Sequence, residues 1–259
     1  MEQFDLNDQR LADALFEAYI HRKPLSKDQI PAFLEKEKAY GIQHALTAKK
    51  ADEANEELKG YKISLTSKET QELFHSDTPL YGALTTPALS EGTIELDGMC
   101  SPLIELELIF IAQEELSAED DVETILQKTL VAPGIEVPDS RFDDWFPKLS
   151  LGQVIADSAV AGKIVVGEPK SGLRFEDLAD IQGRLTFNGQ EIAADSSKAV
   201  LEHPVYAVKW LTEELAKHGL IVEKGMSISS GTFILPKKLE KGVYTASYEG
   251  IGEVSLNVI

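Results

Sequence analysis

Leu103-Ile104-Glu105-Leu106-Glu107-Leu108-Ile109-Phe110-Ile111 reads as a β-strand, being short, aliphatic and β-branched. Side chains alternate across a strand, so Glu105 and Glu107 share one face. Two carboxylates side by side among Leu and Ile repel each other and lose hydration, which forces protonation or compensation. Two arrangements relieve this. In one, the strand turns a polar face to water, as antiparallel sheets often do. In the other, a divalent cation neutralises both groups. Hard ions such as Mg²⁺ or Mn²⁺ take oxygen ligands and keep positions open for water or substrate oxygens. Glu136, in the apolar segment Ile135-Glu136-Val137, is the candidate third ligand.

Lys62 is the second element, in a short predicted strand from Tyr61 to Leu65 just after Gly60. Buried beside a metal, it is expected to have its pKa lowered towards the range of an acid–base catalyst. A lysine facing water from an exposed strand is the alternative.

Outward from these segments, residues 1–60 read as a helical N-terminal subdomain and 61–259 as a β-rich catalytic domain, giving an α+β class. Asn7 is placed as the cap of a helix carrying Leu11, Leu15 and Phe16, broken by Pro24. Ser26 opens a second helical pattern with Ile30, Phe33 and Leu34. A third helix spans about Glu37 to Leu58 and ends at Gly60. Ala83 to Leu96 reads as loop-rich, and Ser117 with Asp120 as a capping box for a helix carrying Val122, Ile125 and Leu130. Pro133-Gly134 is read as a turn, and Ile164–Val166 as an apolar run. His203-Pro204 opens a helix that Gly219 stops. The tail, 220–259, alternates strands and turns.

Composition removes several function classes. The 259 residues are ample for a core, with 43% hydrophobic and 27% charged residues. Lys and Arg number 25 against 44 Asp and Glu, a net charge of −19. No basic cluster offers a nucleic-acid surface, and an anionic membrane would repel the chain. No uncharged apolar stretch is long enough to span a bilayer. The single cysteine, Cys100, rules out an intrachain disulfide and argues against a thiolate zinc cage. Met1–Asp5 shows no signal-peptide character, so a cytoplasmic protein is expected. G-x-S-x-G, P-loop and G-x-G-x-x-G motifs are absent. The five histidines show no ligand spacing, and Trp145 and Trp210 are read as core or interface.

Several short segments stand in this order: Ala39-Tyr40-Gly41-Ile42-Gln43, Gly60 to Ser67, Pro79-Leu80-Tyr81-Gly82, Glu105-Leu106-Glu107, Glu136-Val137-Pro138-Asp139-Ser140-Arg141, Ile155-Ala156-Asp157-Ser158 and Gly250 to Ser255. Together they resemble the 2-keto-4-pentenoate hydratase and 4-oxalocrotonate decarboxylase family of the fumarylacetoacetate hydrolase superfamily. The resemblance implies a rolled mixed β-sheet with a helical N-terminal portion, in a homo-oligomer. It implies Mg²⁺ or Mn²⁺ held by Glu105, Glu107 and Glu136, with Lys62 as acid–base residue. Leu80, Asp157, Lys163 and Thr232 are carried as substrate-side candidates. The implied substrate is a small 2-oxo or 2-hydroxy acid, and the implied reaction is hydration of a 2-hydroxy-2,4-dienoate to a 4-hydroxy-2-oxo acid. Decarboxylation of a 4-oxalocrotonate-like diacid is the alternative, and a non-catalytic small-acid binder the second. Leu80 stands where hydratases often have Asp and looks more like the decarboxylases. Ser64, Ser158 and Met226 also depart from the usual Gly, Asn and Asp.

Overall fold

The computed structural model describes residues 6–259. Helix α1 (Leu6–His21) buries Ala12, Leu15 and Phe16. Asn7 lies inside its first turn rather than before it, and residues 1–5 lie outside the described part. The helix expected from Ser26 reduces to one 3₁₀ turn, Lys27–Gln29. Ile30 precedes a proline and is extended (φ −121°, ψ 134°), which stops propagation, and Phe33 is fully exposed.

Helix α2 (Lys36–Ala54) ends earlier than expected. Asn55 adopts the left-handed conformation (φ 56°), and its N–H closes on Lys50 O. Gly60 therefore does not stop a helix. It belongs to strand β1 (Leu58–Ser64), where a Cβ would lie 1.8 Å from Ser227 O. After α3 (Lys68–Leu73), β2 (Leu80–Thr85) runs into the region from Ala83 read as loop, followed by the short β3 (Leu89–Ser90) and β4 (Thr93–Ile94).

The long strand is β5 (Leu103–Ala112). Helix α4 (Val122–Gln127) is capped by Asp121, which accepts from Thr124 N, and not by Ser117. Leu130 belongs to the next element, β6 (Thr129–Val137). Pro133-Gly134 does not turn the chain: Pro133 sits opposite Leu108 within the β5–β6 ladder. A Cβ on Gly134 would lie 2.4 Å from Ile109 Cγ1, so that glycine answers close packing rather than a turn.

The remaining elements are α5 (Leu151–Ala156), β7 (Lys163–Val166), α6 (Phe175–Leu178), β8 (Gln182–Phe187), β9 (Gln190–Ser196), α7 (Pro204–Lys217), β10 (Ser227–Thr232), β11 (Lys237–Lys238), β12 (Gly242–Tyr248) and β13 (Gly252–Val258). His203 caps α7 through its ring, which accepts from Val205 N. One mixed sheet runs β2-β1-β10-β5-β6-β7-β3, with β11 pairing β5, and a second runs β4-β13-β12-β8-β9. β12 and β13 pack against β6, while α2 packs on α1, α5 and β2.

A buried ion pair ties the end of β6 to α5. Arg141 Nε contacts Asp157 Oδ1, while Ser140 Oγ and Arg141 N donate to Asp157 Oδ2 at 3.0 and 2.9 Å. The guanidinium also donates to Asp139 O and Ala161 O, so almost every donor is used. Asp157→Ala strands Arg141 without a counter-ion at a fully buried position. It is expected to cost about 3–5 kcal/mol, read as a lower urea midpoint at unchanged m-value.

Candidate metal centre and its cavity

Four adjacent strands, β1, β10, β5 and β6, carry the site. Glu105 stands opposite Glu136 across the β5–β6 ladder, and Glu107 follows two residues on along the same face. One oxygen from each of the three carboxylates lies within 4.8 Å of the others. Their relative exposures are 7%, 1% and 0%. The water-facing alternative for this strand is thereby excluded, since β5 is interior to the sheet between β10 and β6.

Lys62 reaches the cluster from β1, two strands from β5, with Nζ 2.8 Å from Glu136 Oε1. Neither Glu136 oxygen receives a hydrogen bond of ordinary geometry. Glu107 is held firmly: its Oε2 accepts from Ser229 Oγ at 2.5 Å and from Gly231 N at 2.9 Å. The register shift in β10 between Ser229 and Thr232 swings the Gly231 N–H onto that carboxylate. Gly231 has φ +117°, and a Cβ there would strike Thr66, so glycine is required. Ser229 and Gly231 were not singled out in the sequence. Their role depends on a strand irregularity that residue spacing does not display.

Burial and mutual repulsion push the Glu105 carboxyl up to about 8 and Glu107 well above the carboxylate range. For Lys62, burial alone pulls the pKa down, as the sequence led one to expect. The attraction of Glu136, Glu105 and Glu107 outweighs it, and the ammonium is held above its usual value. A desolvated trio of carboxylates facing one lysine, with neither Glu136 oxygen in a regular hydrogen bond, fits a hard divalent ion such as Mg²⁺ or Mn²⁺.

Lys62, Glu105 and Glu107 line a narrow cavity of about 30 Å³, with Glu136 behind them. Phe74, Trp145, Phe146, Val154 and Val160 form its apolar wall, and Thr232 also lines it. The other substrate-side candidates do not. Leu80 is fully buried in β2 opposite Ser64, Asp157 is committed to Arg141, and Lys163 donates to Pro87 O at 2.6 Å beside a different cavity.

These strands build a scaffold suited to hold a divalent metal, and comparison with known proteins supplies the family. No family model matches the chain. It is 32% identical over 203 residues to 2-hydroxyhexa-2,4-dienoate hydratase of Comamonas testosteroni, covering 76% of this chain and 75% of that one. It is 30% identical over 223 residues to 2-keto-4-pentenoate hydratase of Paraburkholderia phymatum, covering 83% of each. Its fold matches the structure of 4-oxalocrotonate decarboxylase from Pseudomonas putida G7, solved with magnesium and adipate. That match has a TM-score of 0.87 at 24% identity, over 98% of this chain and 97% of that one. The chain belongs to the 2-keto-4-pentenoate hydratase and 4-oxalocrotonate decarboxylase family of lyases. The expected fold, a rolled mixed sheet of the fumarylacetoacetate hydrolase type with a helical N-terminal portion, is the one observed. No described helix is long and apolar enough to cross a membrane.

Proposed function

We propose that this chain is a metal-dependent hydratase that adds water to a small 2-hydroxy-2,4-dienoate, giving a 4-hydroxy-2-oxo acid. The observation that carries this reading is the meeting of Glu105, Glu107 and Glu136 beside Lys62 under an apolar wall. The three carboxylates are the groups that would hold Mg²⁺ or Mn²⁺. When bound, the ion supplies a Lewis acid for the substrate's carboxylate and 2-oxygen. Lys62 Nζ serves as the proton carrier: as an ammonium it delivers a proton to carbon 5 and recovers one from O2, after which water adds its hydroxyl at carbon 4 and its proton at carbon 3. Ser229 and Gly231 keep Glu107 in place while charge shifts. Phe74, Trp145 and Phe146 exclude bulk water. They must give way on entry, because about 30 Å³ admits little more than one water. A homo-oligomeric, cytoplasmic enzyme forms part of the proposal, and light scattering reads the assembly.

The decarboxylase reading needs a partner for a second carboxylate. Among the described residues lining the cavity, Lys62 is the single cation, so a substrate tail meets aromatic and aliphatic surface. This favours a monoacid. Leu80, the residue that pointed towards decarboxylation, does not reach the cavity. A product assay with 2-hydroxypenta-2,4-dienoate and 4-oxalocrotonate, each with Mg²⁺ and with EDTA, separates the readings. The expected result is hydrated product from the monoacid, falling to background with EDTA. Faster release of carbon dioxide from the diacid overturns hydration in favour of decarboxylation, and no turnover of either leaves a binding protein.

A further inference from the structure

A second cavity, of about 250 Å³, shares no lining residue with the one at Lys62. It lies between α1, α2, the end of β2 and the segment leading to Cys100. Four cations line it, Arg22, Lys50, Arg141 and Lys163, against two acids, Glu56 and Asp139. An excess of positive charge is unexpected in a chain of net charge −19.

Nearly every polar group there is already satisfied. Arg141 is held by Asp157 and backbone carbonyls, Arg22 donates to Gly98 O at 2.6 Å, and Lys163 donates to Pro87 O. Glu56 accepts from Tyr19 Oη at 2.8 Å and Thr85 Oγ1 at 2.6 Å, and Asp139 accepts from the N–H groups of Cys100 and Ser101. Lys50 is the exception. It is 4% exposed, lines the cavity, and has its Nζ 4.0 Å from the Tyr19 ring centroid. Among the described residues it has no hydrogen-bond or ion-pair partner, and its ammonium rests on the Tyr19 ring instead. Burial, reinforced by the neighbouring Arg141 charge, outweighs the attraction of Glu56 and Asp157 and pulls its pKa down to about 7.

We propose that this cavity is a binding site for a short-chain monocarboxylate, whose carboxylate pairs with Lys50 and whose tail lies on Ile20, Ala83, Met99 and Ala161. The anion follows from the unpaired, desolvated ammonium and the surplus of cations. The single charge follows from Glu56 and Asp139, which repel a second anionic group. The apolar lining selects an organic acid over inorganic phosphate.

The test is calorimetric titration of the full-length protein in EDTA with butyrate, succinate and inorganic phosphate. EDTA keeps the carboxylate cluster free of a metal ion that could draw an acid to that cavity. Saturable binding of one butyrate per chain, stronger than succinate or phosphate, is expected. Lys50→Met is expected to weaken it at least tenfold, Lys50→Arg to restore most of it, and Glu107→Gln, which keeps its fold without metal, to leave it unchanged. Ala161→Phe, which fills the cavity while keeping every charge, is expected to abolish binding and serves if Lys50→Met does not fold. Absence of saturable butyrate binding overturns the proposal. So does unchanged affinity in Lys50→Met or Ala161→Phe, loss of binding in Glu107→Gln, or tighter binding of phosphate or succinate.

Discussion

Glu107→Gln is expected to lower Mg²⁺-dependent turnover by at least about 10²-fold while the fold survives, since a reacting centre misplaced by about 1 Å already costs that much. The substitution is isosteric, and Gln Oε1 can still accept from Ser229 Oγ and Gly231 N, the two donors that position the native carboxylate. What is lost is one negative ligand from the buried trio. Stability is therefore expected to separate from activity. Removing one of three crowded carboxylates relieves repulsion in the metal-free protein, so its melting temperature holds or rises. The wild type, in contrast, is expected to gain about 2.7 kcal/mol when Mg²⁺ is present at 100 times its dissociation constant, and the variant much less. The checks are turnover against Mg²⁺ concentration and thermal melts with Mg²⁺ or EDTA. Undiminished turnover refutes the proposed ligand role.

Lys62→Met carries the other large effect. The side chain is almost completely buried and is the one cation facing Glu105, Glu107 and Glu136. Its removal leaves the carboxylates without a counter-charge, and a broken buried pair costs about 3–5 kcal/mol. Added Mg²⁺ is expected to recover much of that loss, making the variant far more metal-dependent for stability than the wild type. Loss of a positioned proton carrier lowers the rate by about 10²–10⁴-fold. Substrate binding, reported by KM and by direct titration, is expected to persist. A catalytic constant that stays at the wild-type value refutes the acid–base role, whatever happens to stability.

Periodicity made the strand at 103–112, the helix opened by His203-Pro204 and the alternating tail readable. Each depends on local pattern and end signals, and the tertiary fold agreed with them. The misreadings share a cause. Pro133-Gly134 resembles a turn, yet in β6 the proline lies within a ladder and the glycine admits Ile109. Gly60 resembles a helix stop, yet its lack of a side chain serves the close approach of β10, while Asn55 ends the helix. Both glycines answer to neighbours remote in sequence, which local pattern does not reveal.

The alternation Glu-Leu-Glu in an aliphatic run was enough to place two acids on one face and to demand compensation, because strand geometry is local. Choosing between water and a metal required the neighbours. Only the sheet order, with β10 on one side of β5 and β6 on the other, buries both carboxylates, brings Glu136 opposite Glu105, and carries Lys62 in from β1. The same long-range packing leaves Lys50 buried without a partner. Register and burial are set by strands far apart in the chain, so neither could be read from the spacing of residues along it.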